Sequence, residues 1–200
     1  MGRIRAFVAI DIPRNVKEEL VREYEGMKGR FRGAVGRGMK WVDPSNWHIT
    51  LKFLGEISED MVPGCEEILN SCARVHERFR MRLRNVGCFP SPGRPRVVWA
   101  RMEEDRATLA ALASCLDTAF EELGVAREER PFHAHLTLCR IKRPSPSHAP
   151  RIISLMEKRF STRWFEVGEL CLFKSTLTSS GPIYSLILKI PLADKMTYSI

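Results

Sequence analysis

His48-Ile49-Thr50-Leu51 and His135-Leu136-Thr137-Leu138 are two copies of one four-residue phrase, His-x-Thr-x with apolar x, 87 residues apart. In a β-strand alternate side chains share a face. Each copy therefore sends an imidazole and a hydroxyl to one side and two branched apolar residues to the other. Ile49 and Leu51, or Leu136 and Leu138, anchor the strand in a core. Two such strands facing each other bring two imidazoles and two hydroxyls onto one small group. That suits acid–base chemistry on a phosphate, where one histidine takes a proton while the other gives one.

The rest of the chain can support such a site. It is 44% hydrophobic and 28% charged over 200 residues, enough for a real core in one sizeable domain or two small lobes. No apolar run reaches the roughly 18–20 residues of a membrane span. The basic, then apolar, start is cut by Asp11 and Pro13 after about five apolar residues, too short for a signal core. A soluble cytoplasmic protein is expected. Six cysteines (Cys65, Cys72, Cys88, Cys115, Cys139, Cys171) form no C-x-x-C pair, and buried free thiols are preferred over disulfides. The net charge of +8 suits a polyanion such as RNA, although many soluble proteins are equally basic.

Periodicity predicts strands over 5–12, 47–54, 79–86, 96–101, 132–140, 165–176 and 183–190. Helices are predicted from 16 towards 29, capped by Asn15, over 58–73 with Pro63-Gly64 breaking its first turn, and over 105–123 and 151–160. The third shows Leu109, Leu112, Leu116 and Phe120 at helical spacing. Residues 29–39 read as a Gly-rich loop in which Arg30, Arg32, Arg37 and Lys40 are candidates to hold an RNA backbone. Gly33, Gly36 and Gly38 lack the strand-to-helix frame of a phosphate-binding fingerprint. Strand, helix and motif strand recur in that order in each half, which predicts two related lobes. The last two strands return to complete the first lobe's sheet.

A lone strand histidine is usually a core or rim residue, but duplication in identical frames favours a joint role. His133, His135 and Cys139 lie near one another, yet zinc-ligand spacing is absent and threonine is not a usual ligand. No G-x-S-x-G elbow accompanies either histidine.

The paired motifs resemble the signature of the two-histidine (2H) phosphoesterase superfamily. Arg5-Ala6-Phe7-Val8-Ala9-Ile10, Trp41-Val42, the run from Asn46 to Gly55, Phe89-Pro90, Arg96-Val97-Val98-Trp99, Phe132, Cys139-Arg140 and Gly181-Pro182-x-Tyr184 extend the likeness over nearly the whole chain. The match is to the RNA 2′,3′-cyclic phosphodiesterase branch, also called 2′-5′ RNA ligase-like proteins. One departure is Ala134 where the family places proline before the second histidine, with His133 one earlier. By alternation His133 shares the face of His135.

The resemblance implies a bilobal α+β protein: a single domain over 1–200 with two pseudo-symmetric antiparallel sheets, helices outside and a central active-site cleft. It implies hydrolysis of RNA 2′,3′-cyclic phosphate ends, tRNA fragments among them, to 2′-phosphomonoesters by a monomer that needs no metal or other cofactor. His48 is then the proton donor and His135 the acceptor; Thr50 and Thr137 hold the non-bridging oxygens. Arg140 adds fixed charge, and Phe7 is a candidate to stack on a base, unless it is simply a core residue. The reverse reaction, 2′-5′ ligation, uses the same two histidines, and a non-catalytic RNA-binding module is the rival from another class.

Overall fold

The computed structural model describes residues 2–31, 38–144, 146–179 and 181–194. In chain order the elements are β1 (Arg3–Asp11), α1 (Arg14–Gly29), β2 (Met39–Trp41), β3 (His48–Ser58), α2 (Val62–Arg74), β4 (Phe79–Phe89), β5 (Val97–Glu104), α3 (Thr108–Ala119), β6 (Leu136–Ile141), α4 (His148–Glu157), β7 (Phe165–Val167), β8 (Glu169–Leu177) and β9 (Pro182–Pro191). They form an α+β structure with two sheets, β3-β1-β8-β9 and β2-β6-β5-β4-β7. Every pairing between these strands is antiparallel.

The two halves of the chain interlace. β1 and β3 pair in the first sheet and β8–β9 return to it, as expected, whereas β2 crosses to the second. The helices cross as well. α3 follows β5 of the second sheet but packs on β3, beside α2, which rests on β9. α1 follows β1 of the first sheet but its side chains reach α4 and the segment after it, and α4 packs on β4. Glu23 pairs with Lys158 at 2.6 Å, Glu19 with Arg163 at 3.0 Å, and Arg30 donates to Ser154 of α4 at 3.2 Å. The similar spacing of the halves therefore does not mean that each half builds its own lobe.

Helical periodicity located the helices well. Leu109, Leu112, Leu116 and Phe120 are all buried, as are Val16, Leu20 and Tyr24 on α1. The ends differ. Pro13, not Asn15, precedes α1, and its carbonyl accepts from Val16 and Lys17. Pro63 sits in the first turn of α2 instead of breaking it. Pro150 likewise lies inside the first turn of α4, where a missing N–H leaves no bond unmade. Residues 165–176 make two strands rather than one: β7 pairs with β4 and β8 with β1, in different sheets. Cys72 and Cys115 are not free thiols but a disulfide joining α2 to α3, with Cα atoms 6.2 Å apart. Their separation of 43 residues hid an adjacency that helix packing creates. The other four cysteines are free and buried.

β3 is longer than expected, and its irregularity matters most. Gly55 does not end it; with φ of +71° it carries the strand past a register shift to Ser58. A second shift leaves Leu51 without a partner on β1, since Ala9 faces Thr50 and Val8 faces Lys52. Alternation alone would align Lys52 with His48 and Thr50. The bulge turns it into the core instead, where Nζ donates to Asp117 at 2.5 Å and to the Ala126 carbonyl at 2.6 Å. The next residue, Phe53, is turned to the open side and is 53% exposed.

Removing Asp117 strands a buried ammonium. Asp117→Ala is expected to destabilise the protein by about 3 kcal/mol, measured by urea unfolding, and a loss within error of zero would mean that Lys52 escapes to water.

Candidate active site

The two motifs are built alike. His48 opens β3 and His135 immediately precedes β6. Ile49, Leu51, Leu136 and Leu138 are buried, so the apolar halves of both motifs lie in the core as period two requires. Nδ1 of His48 lies 2.8 Å from the Asn46 carbonyl, and Nδ1 of His135 lies 2.8 Å from the His133 carbonyl. A carbonyl oxygen only accepts, so each Nδ1 carries the hydrogen. In the neutral ring each Nε2 then keeps a lone pair for a second partner. His48, Thr50, His135 and Thr137 line one open cleft of about 1170 Å³.

Aromatic rings back both imidazoles. The His48 ring lies 4.7 Å from Phe7 and meets the edge of Tyr184 at 5.0 Å. His135 meets Phe89 at 5.4 Å and Trp99 at 6.3 Å, and those two rings stack at 4.9 Å. Trp99 can seat there because residue 87 is glycine: a Cβ at that position would stand 2.5 Å from the indole. Burial among these groups pushes the His48 imidazole down to about 4, against the opposing pull of the Asn46 carbonyl and of Asp11. Burial also lowers His135, and the neighbouring His133 and Arg140 charges act in the same direction. Both rings are neutral in the free protein at neutral pH.

Positive charge surrounds the cleft. Lys40 and Arg140 stand directly opposite each other on β2 and β6, an unfavourable like-charge pairing in a sheet. Both line the cleft, as does Arg5. Among the described residues none of the three has a carboxylate within ion-pair distance. An anion seated there relieves their repulsion.

The remaining expected residues fall in different places. Phe7 lines the cleft but is only 3% exposed, so its ring supports His48 and offers little surface to a base. Arg30 reaches α4 and is not part of the cleft wall. Arg32 and Arg37, with Gly33 and Gly36, lie outside the described residues. His133 does share a side with His135, packing on Trp99 at 4.8 Å and Phe89 at 5.0 Å. Cys139 is buried, and among the described residues no three histidine, cysteine or carboxylate groups converge as metal ligands. Sequence reasoning assigned no role to Phe53, Tyr184, Arg5 or Asp11. Asp11 faces His48 across β1 and β3, a pairing that only the register reveals.

Comparison with known proteins identifies relatives over nearly the whole chain. The family model described as LigT like Phosphoesterase matches residues 10–99 and 101–184. The chain is similar to the RNA 2′,3′-cyclic phosphodiesterase of Archaeoglobus fulgidus, 35% identical over 184 residues, covering 90% of this chain and 96% of that one. A protein of the same name from Aquifex aeolicus is 31% identical over 191 residues, covering 94% and 96%. Among solved structures, TT0787 of Thermus thermophilus superposes with a TM-score of 0.78 at 32% identity, covering 96% of this chain and all of that one. E. coli LigT complexed with 3′-AMP shares the fold, with a TM-score of 0.75 at 23% identity over 96% of this chain and all of that one.

The depressed histidine makes stability pH-dependent with a defined sign. His48 binds its proton more weakly folded, at about 4, than at the ordinary 6.5. The stability gained by keeping it neutral is complete above pH 6.5 and is lost as pH falls through about 4. We expect the difference in unfolding free energy between the parent and His48→Asn to shrink by up to about 3 kcal/mol over that range. Urea melts at stepped pH check this, and a difference independent of pH would refute a buried neutral His48.

Proposed function

The chain belongs to the LigT like phosphoesterase family, and on that footing we propose that it hydrolyses the 2′,3′-cyclic phosphate at an RNA end to a 2′-phosphomonoester. The observation that carries this reading is the doubled carbonyl lock, which commits two Nδ1–H groups to the backbone and leaves two Nε2 atoms for one cationic cleft. The curated relatives named RNA 2′,3′-cyclic phosphodiesterase lend it support.

In this mechanism a water oxygen bonds to phosphorus as the P–O3′ bond breaks. One Nε2 takes the water's proton and the other protonates O3′. The Thr50 and Thr137 hydroxyls donate to the non-bridging oxygens, where negative charge must be held. Arg140, with Lys40 beside it, supplies fixed positive charge. Phe53, exposed on the cleft wall, is the ring with free surface for the terminal base.

The charges around each ring divide the labour. Asp11, opposite His48, favours its imidazolium, against Lys17 and Arg140. The charges acting on His135 come from His133 and Arg140, and both favour its neutral form. Because a carboxylate faces His48 and none acts on His135, we assign His48 as the acid and His135 as the base. Burial keeps both neutral without substrate, so His48 gains its proton as the anionic phosphate enters and offsets the desolvation of an imidazolium.

Two experiments test this. His48→Ala and His135→Ala should each lower kcat by roughly 10²–10⁴ on a cyclic-phosphate-ended oligonucleotide, with the parent's product shown by phosphorus NMR to carry a 2′-phosphate. Turnover at the parent rate by either variant would sink the paired-histidine mechanism. Asp11→Asn should move the alkaline limb of the pH–kcat profile to lower pH and leave the acid limb in place. Movement of the acid limb alone would reverse the roles of the two histidines.

A further inference from the structure

The wall that carries Thr137 does not end at the cleft. Residues opposite one another in an antiparallel pair share a face, and Thr137 on β6 faces Trp99 on β5. Two and four residues on, Arg101 and Glu103 continue that face, opposite Arg84 and Arg82 of β4. Arg80 follows two residues further along β4, opposite Glu166 of β7, whose carboxylate pairs with Arg78 at 3.3 Å. Ring contacts trace the same line. His135 lies 6.3 Å from Trp99, and the Arg101 guanidinium stands 5.5 Å over that indole. Beyond, the Arg82 and Arg80 guanidiniums stand over Trp164 at 4.8 Å and 5.9 Å.

The charge on this face is not balanced. Arg84 and Arg101 stand directly opposite each other, a second like-charge pair on the sheet that carries Lys40 and Arg140. Glu103 serves both Arg82 at 2.8 Å and Arg84 at 2.7 Å, so one carboxylate offsets two guanidiniums. Arg80 and Arg101 are exposed, and among the described residues neither has a carboxylate within ion-pair distance. A sheet face that only bounded the core would not need exposed cations without a carboxylate beside its indoles. Cations track the phosphates of a single strand, and the exposed guanidiniums that cap the buried Trp99 and the half-buried Trp164 offer flat faces on which bases stack.

We propose that the single-stranded body of the RNA lies on this face, running from Trp99 across β5 and β4 to Trp164, with its 3′ end in the cleft. The proposal rests on the RNA-end reading above, but binding tests it without catalysis. The face continues the wall that holds His135 and Thr137, which favours the substrate's own strand over a separate acidic protein as its occupant.

The test is fluorescence anisotropy with a labelled single-stranded RNA of roughly 12 nucleotides ending in a plain 3′-hydroxyl, which the protein cannot turn over. Arg80→Gln/Arg101→Gln should bind it about tenfold more weakly, and the slope of log affinity against log salt should flatten by about 1.4, near 0.7 for each phosphate no longer neutralised. Arg14→Gln, which removes an exposed charge on α1 paired with Glu18, should bind as the parent does. With cyclic-phosphate ends, kcat/KM of the double variant should fall on the long RNA and hold on a dinucleotide. Unchanged binding by the double variant, equal weakening by Arg14→Gln, or displacement of the RNA by polyglutamate as effectively as by unlabelled RNA would each overturn the track. A parent inactive on both cyclic ends would overturn the hydrolase reading alone, because the anisotropy result still decides the track.

Discussion

A backbone carbonyl two residues before each motif histidine fixes what the rest of the site can do. The Asn46 and His133 carbonyls take the Nδ1 hydrogens, so ring orientation and tautomer are set by the main chain. That lock works only if the backbone itself is rigid. Ile49, Leu51, Leu136 and Leu138 supply the rigidity by burying the opposite face of each strand. Packing therefore reaches the candidate chemistry in two steps: an apolar side chain pins the strand, and the strand's carbonyl aims the imidazole.

Irregular strand pairing does as much as regular pairing. The bulge at Leu51 removes Lys52 from the motif face and gives its ammonium to Asp117 and the Ala126 carbonyl. Without the bulge an extra cation would stand in line with His48 and Thr50, and Phe53 would lie inside. One unpaired residue thus keeps a charge out of the cleft and brings an aromatic ring to its wall. The interlaced helices use the buried side of the same strands. α3, which carries Asp117, reaches β3 from the other half of the chain.

The electrostatics of the cleft are those of a site waiting for an anion. Burial holds both imidazoles neutral, and Arg140 acts on both in the same direction. Lys40 and Arg140 face each other without a carboxylate among the described residues. The like-charge pairing is unfavourable by itself, and an anion bound between the two cations would relieve it. β5 and β4 repeat the like-charge pairing at Arg84 and Arg101, with Glu103 beside Arg84 and no carboxylate within ion-pair distance of Arg101 among the described residues.

Sequence alone determined the motif faces, the helices with a clear apolar stripe and the family resemblance, which in turn implied the antiparallel two-sheet class. These depend on side-chain period, on local apolar spacing and on runs of residues that stay together along the chain. Tertiary structure decided what depends on which strands meet. It split residues 165–176 between two sheets, joined Cys72 to Cys115, set Asp11 against His48 and turned Lys52 inward. It also buried Phe7 beneath His48 and exposed Phe53 in its place. The reason is physical: alternation states that two residues share a face, but register and bulges decide which face, and both arise from pairing with residues far away in the chain.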